Sequence, residues 1–171
     1  MSNTKLMKKL GEQAYSLGFE YEKKYHGCAQ CVAAAVQDTF DISNDDVFKA
    51  MTGFGGGGGG LCNGSCGAYA GGIALLSWLA GRERTCFEDV DVSRAYDLTR
   101  RLHSRFIEKY GTIICRDINM KIFGRSFFTA DPDDYLKFQA AGSYEDKCTD
   151  VVGSAAQWVA ELIVDQDLVK I

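Results

Sequence analysis

Seven cysteines stand in this 171-residue sequence, at positions 28, 31, 62, 66, 86, 115 and 148. A deprotonated thiol does two kinds of chemistry: it ligates iron or zinc, or it attacks a disulfide. Two pairs are spaced for joint work, Cys28-Ala29-Gln30-Cys31 and Cys62-Asn63-Gly64-Ser65-Cys66. An odd count cannot pair fully into disulfides. The opening residues, Met1 to Leu10, carry lysines and no apolar run, so no secretory leader is expected. The sequence is therefore expected to be soluble and cytoplasmic. Thiols stay reduced in that compartment, which points to metal binding or thiol redox chemistry.

Composition narrows the classes further. With 46% hydrophobic and 25% charged residues and a net charge of −4, the chain is globular and not wholly disordered. A pI near 5.2 argues against nucleic acid and against an anionic membrane surface, since both call for a basic face. The most apolar stretch, Ala68 to Ala80, falls short of the roughly 20 residues that span a bilayer. The length suits a single domain, 1–171, with enough core to fold without disulfides or metal.

The elements that position the cysteines read as helices almost throughout. Leu6, Leu10, Ala14, Leu17 and Tyr21 recur at three and four residues and predict a first helix, capped by Thr4 and closed at Gly27. A second helix is expected from Cys28 to Phe40. A short third helix should open at Ser43, with Asp46 completing a variant capping box, and run to about Met51. Beyond six consecutive glycines, Gly55 to Gly60, Ser65 is expected to cap a helix from Cys66 to Ala80. Ser93 should open a long helix ending at Gly111, with Tyr96, Thr99, Leu102, His103, Phe106 and Tyr110 toward the core. A short helical piece follows at Ile113 to Ile118, and Lys121 to Thr129 is ambiguous. Asp131-Pro132 is an N-cap with proline at the first helical position. The last helix should run from Tyr144 to Val164. The expectation is an all-α domain of five or six main helices with a Gly-rich loop.

On this map Cys28, Cys66, Cys115 and Cys148 all fall near helix N-termini. Free N–H groups and the positive end of the helix dipole favour a thiolate there. Cys86 lies in the polar Gly81 to Asp91 connection and reads as incidental. His103 reads as a satisfied core histidine, while His26, beside Cys28, is a candidate ligand or proton donor. Arg116 and Asp117 would either orient Cys115 or pair at the surface. Six ordered glycines in a row carry a large entropic cost, so the loop is expected to bring backbone close to something. Sulfide or phosphate would fit, but the Gly-Lys-Ser/Thr of a P-loop is missing.

Taken together, the sequence resembles the C_GCAxxG_C_C family, named for its cysteine pattern. The resemblance spans about Tyr15 to Leu162. It rests on Gly27-Cys28-Ala29-Gln30, Gly53-Phe54-Gly55-Gly56-Gly57, Cys66-Gly67-Ala68-Tyr69-Ala70-Gly71, Tyr110-Gly111 with Cys115-Arg116-Asp117, and Cys148 before an Ala/Val-rich helix. It implies a small α-helical redox protein with an iron–sulfur or other metal centre, held by Cys28, Cys66, Cys115 and Cys148. Cys31 and Cys62 go beyond the family's four, and the literal string Gly-Cys-Ala-x-x-Gly is absent.

Two functional expectations follow. One is an electron-transfer or redox-sensing protein whose iron–sulfur centre is held by those four cysteines, with Cys62 as a substitute and Gly55, Gly56, Gly57 and Gly67 lining the cofactor. The other is a metal-free thiol–disulfide oxidoreductase, in which Cys28 attacks and Cys31 resolves, or Cys62 and Cys66 pair. A structural zinc protein is a third class. Covalent haem is not expected, because no Cys-x-x-Cys-His occurs. A redox partner protein is expected, and a homodimer stays open.

Overall fold

The three- and four-residue apolar spacing produces eight α-helices and no strand among the described residues of the computed structural model, 2–88 and 91–170. They are α1 (Asn3–Tyr25), α2 (Cys28–Phe40), α3 (Asp45–Ala50), α4 (Gly67–Ala80), α5 (Ser93–Tyr110), α6 (Cys115–Phe123), α7 (Pro132–Ala140) and α8 (Cys148–Asp165). The fold is all-α as expected, with more helices than the five or six foreseen, because the short pieces α3, α6 and α7 are each complete helices. Lys121 to Thr129 resolves into the end of α6, a left-handed stop at Gly124, and a loop. Of the Gly81 to Asp91 connection, Asp89 and Val90 lie outside the described residues. No helix among the described residues is long and apolar enough to cross a membrane.

Several caps fall a residue or two from their expected places. Ser2 caps α1 by accepting from the Lys5 amide, leaving Thr4 inside the helix. Asn44 caps α3 through the Val47 amide in place of Ser43. Cys66 itself takes the cap position of α4 expected for Ser65. At α5 Ser93 is the first helical residue, and the Asp91 carboxylate accepts from its amide and hydroxyl at 2.8 and 2.6 Å. Asp131 and Pro132 cap and open α7 as the sequence predicts. The last helix begins later than Tyr144: a π-helical turn over Ser143–Lys147 precedes it, so Cys148 becomes its first residue.

α1 and α8 run antiparallel and make the most extensive packing in the chain, with α2, α4 and α5 completing the core. The buried face of α1 is Leu10, Gly11, Ala14, Gly18 and Glu22, while the expected Leu17 and Tyr21 flank it. Glycines set this seam. A methyl on Gly18 would stand 3.1 Å from the Ala156 Cβ and 3.2 Å from the Val152 carbonyl, and one on Gly153 would stand 3.0 Å from the Tyr15 ring and carbonyl. On α5 the buried line is Ala95, Leu98, Leu102, Phe106 and Tyr110. Tyr96, expected in the core, is 60% exposed, because it falls one position outside that line. His103 bonds the Tyr69 hydroxyl at 3.3 Å and is the satisfied histidine its position implied.

Candidate functional site

The glycine run folds into a defined left-handed path. Gly56 to Gly60 take φ values of 56°, 69°, 90°, 57° and 79°, a region closed to most side chains. Backbone hydrogen bonds hold the path: Gly59 N–H donates to Gly53, Gly60 to Gly55, Cys62 to Gly56 and Gly64 to Gly57, at 2.8 to 3.1 Å. The segment that leaves it pairs antiparallel with the approach to α6. Cys66 N–H donates to Ile113, Cys115 to Gly64 and Arg116 to Cys62, at 2.7 to 3.0 Å. Ile113 and Ile114 therefore act as a paired lead-in, and the expected short helix at Ile113 to Ile118 starts at Cys115.

These constraints set cysteines around one chamber. Cys28, Cys115 and Cys148 are the first residues of α2, α6 and α8, and Cys66 caps α4. Together with Cys62 they line a cavity of about 280 Å³, whose walls also include Gly55, Gly56, Glu22, His26 and Tyr144. Gly57 presses against Cys62 and Cys115, so that a methyl there would lie 2.8 Å from the Cys115 Cβ. Gly67 packs directly on the Cys28 sulfur, leaving no room for any side chain. Cys31 is set apart: its thiol donates to the His26 carbonyl at 3.0 Å, and it opens onto a second pocket beside Gln30 and Asp38. Cys28 and Cys31 thus face different pockets, while Cys62 and Cys66 share one. Cys86 is exposed and stands apart from both. Arg116 and Asp117 form an exposed pair at 3.4 Å.

The chamber resists negative charge. Burial pushes the Cys28 thiol up, the Glu22 carboxylate adds to this, and the amides of Gly56 and Ala29 pull the other way. Burial raises Cys66 to about 11 against the amides of Ala68 and Tyr69. Cys148 is raised well above the usual thiol range, by burial and then by Glu22. Cys62 goes the other way, down to about 6, chiefly because the Cys115 thiol hydrogen-bonds its sulfur. The same hydrogen bond, with burial, drives Cys115 upward. His26 is lowered by burial and stacks on Tyr144 with ring centroids 3.6 Å apart.

Glu22 was not among the residues the sequence singled out. It is 3% exposed, burial raises it to about 7, and its Oε2 has no partner. The only signal in the sequence is its place four residues beyond Gly18, on the small-residue face of α1. The mixed run Glu20 to Lys24 hides it.

The donor set suits a sulfur-loving centre: five soft thiols stand among mostly apolar walls, where a hard cation would ask for carboxylates and carbonyls. Among the described residues no three His, Cys, Asp or Glu side chains are gathered closely enough to hold one metal ion. A polynuclear cluster spaces its thiolates more widely than a single ion does. The cavity is also roomy, given the roughly 30 Å³ that a water occupies in the liquid. The residues present fit a soft, thiolate-bound centre better than a hard cation.

A helical domain whose helix N-termini turn cysteines into one chamber is the class that fold and site define. Residues 26–162 match the family described as "putative redox-active protein (C_GCAxxG_C_C)". The chain belongs to that family. No curated protein and no solved structure matches it.

Proposed function

We propose that the chamber holds an iron–sulfur centre ligated by Cys28, Cys66, Cys115 and Cys148, with Cys62 able to substitute, and that it passes electrons to or from a redox partner protein, in transfer or in sensing. The observation that carries this reading is that five cysteines from separate parts of the chain line one cavity, four of them at helix N-termini. When bound, such a centre supplies one-electron chemistry.

This chain's own residues do the rest. The amides of Gly56 and Ala29 at Cys28, and of Ala68 and Tyr69 at Cys66, favour the charged sulfur that ligation needs. The apolar walls, Val151, Val152, Ile118 and Phe138, exclude water and keep the charge changes local. Because burial holds most of these thiols protonated, loading the site must release protons, and a cation inside it reverses the cost of the thiolates.

Anaerobic purification with visible absorption, iron and acid-labile sulfide measured on one sample tests the reading. Cys115→Ser should lose most of the iron, while Cys31→Ser keeps it. A wild-type protein that stays iron-free after reconstitution with all thiols reduced would sink the proposal.

A further inference from the structure

Cys62 and Cys115 are set side by side by the backbone around them. Main-chain hydrogen bonds from Arg116 to Cys62, at 2.8 Å, and from Cys115 to Gly64, at 3.0 Å, lock the two segments in register. Gly57 lies against both residues, with room for no methyl between them. Both side chains line the same cavity. Cys62 also adopts a left-handed backbone, φ 59°, which a non-glycine residue takes only when its surroundings impose it. The Thr129 hydroxyl stands 3.7 Å from the Cys62 sulfur, at the wall of the same cavity. The nearest cysteines in sequence are placed differently: Cys31 bonds the His26 carbonyl and opens onto the second pocket, and Cys66 sits at the start of α4.

We propose that Cys62 and Cys115 form a dithiol that hydrogen peroxide oxidises to a disulfide inside the chamber. A cavity of about 280 Å³ has room for so small an oxidant. Cys62 attacks one peroxide oxygen: a sulfur–oxygen bond forms, the oxygen–oxygen bond breaks, and the departing hydroxide takes up the thiol proton as water. The Cys115 sulfur then attacks the Cys62 sulfenic acid. A sulfur–sulfur bond forms, the sulfur–oxygen bond breaks, and a second water leaves with the Cys115 proton. The dithiol loses two electrons and two hydrogens, and one peroxide becomes two waters. This step does not require the iron centre. If both hold, disulfide formation withdraws Cys115 from the ligand set, so the two states of the chamber exclude one another.

The test is made on the full chain, reduced and freed of metal under anaerobic conditions, then treated with one equivalent of hydrogen peroxide and mapped by non-reducing peptide mass spectrometry. The expected result is loss of two of the seven thiols, a mass lower by two hydrogens, and a Cys62–Cys115 linked peptide that a thiol reductant opens. Cys62→Ser should abolish the link while its helical circular dichroism stays that of wild type. Unchanged thiols, unlinked sulfinic acids, or a Cys62–Cys66 link would each overturn the proposal. Iron binding with no linked peptide would leave the cluster standing and remove the switch. The linked peptide in a chain that cannot be loaded with iron would do the reverse.

Discussion

Two stretches of the same helix pair behave in opposite ways. From Gly11 to Gly18, α1 lies so close on α8 that an added methyl would meet Gln157, Glu161, Ala156 or the Val152 carbonyl within 3.1 to 3.3 Å. One turn further along, the pair parts around a cavity bordered by Glu22, Cys148 and Val152. In the close stretch, glycines on α1 let the two helices approach. The open stretch holds a carboxyl and a thiol that both pay for burial with shifted proton affinities. The difference teaches how a small all-α domain keeps an unfavourable site open: the seam beside it supplies the rigidity that the site cannot supply for itself.

The largest expected effect comes from the open stretch. Glu22 lies near pKa 7 in the folded chain against an ordinary 4.5. Its folded value is raised, so it carries no ionisation penalty at low pH, where it is protonated in both states. Stability is lost as pH rises from about 4.5 through about 7. Glu22→Gln should remove that loss. The metal-free variant is expected to exceed wild type by up to about 3 kcal/mol at about pH 8 in urea unfolding, with the difference vanishing near pH 4. Around it Cys28, Cys31, Cys66, Cys148 and Tyr144 are all raised and stay protonated across this window. Cys62 has the opposite sign, but it is common to both proteins and cancels in the difference. A pH-independent gap between them would show that Glu22 is not buried as described.

The close stretch should respond less strongly and in the other direction. Gly153→Ala places a methyl against the Tyr15 ring and carbonyl at 3.0 Å, and about 1–3 kcal/mol of destabilisation is expected from such overpacking. Equilibrium denaturation measures it, and an unchanged midpoint would mean the seam has slack. The smallest effect belongs to the surface bridging this seam to α5. Lys109 donates to Asp150 and Ser154 at 2.7 Å, yet it is half-exposed. Lys109→Ala should cost under about 1 kcal/mol, and less as salt is added.

What the sequence made legible follows from the range of the forces involved. Helices carry their own period, so the span of α2, Cys28–Phe40, was readable from the sequence. Caps were less legible, because several adjacent side chains compete for the same amide, as Asn44 does with Ser43. Cys28, Cys66 and Cys115 could be set near helix N-termini because a cap or a glycine stop lay nearby. Their gathering into one cavity could not be read, since it depends on how α2, α4, α6 and α8 meet. The placing of Cys62 beside Cys115 was hidden for a further reason: it needs five left-handed glycines to turn the chain back, and no periodicity encodes that path.

The antiparallel embrace of α1 and α8 also orders events at the ribosome. Synthesis proceeds at about 5–20 residues per second, so α1 waits on the order of ten seconds for its partner. During that interval Cys28, Cys62, Cys66 and Cys115 have all emerged, but the wall that carries Cys148 does not yet exist. The chamber is closed by the last helix of the fold to be made, and until then its earlier thiols stand open to the solvent and to whatever the cell keeps ready to guard them.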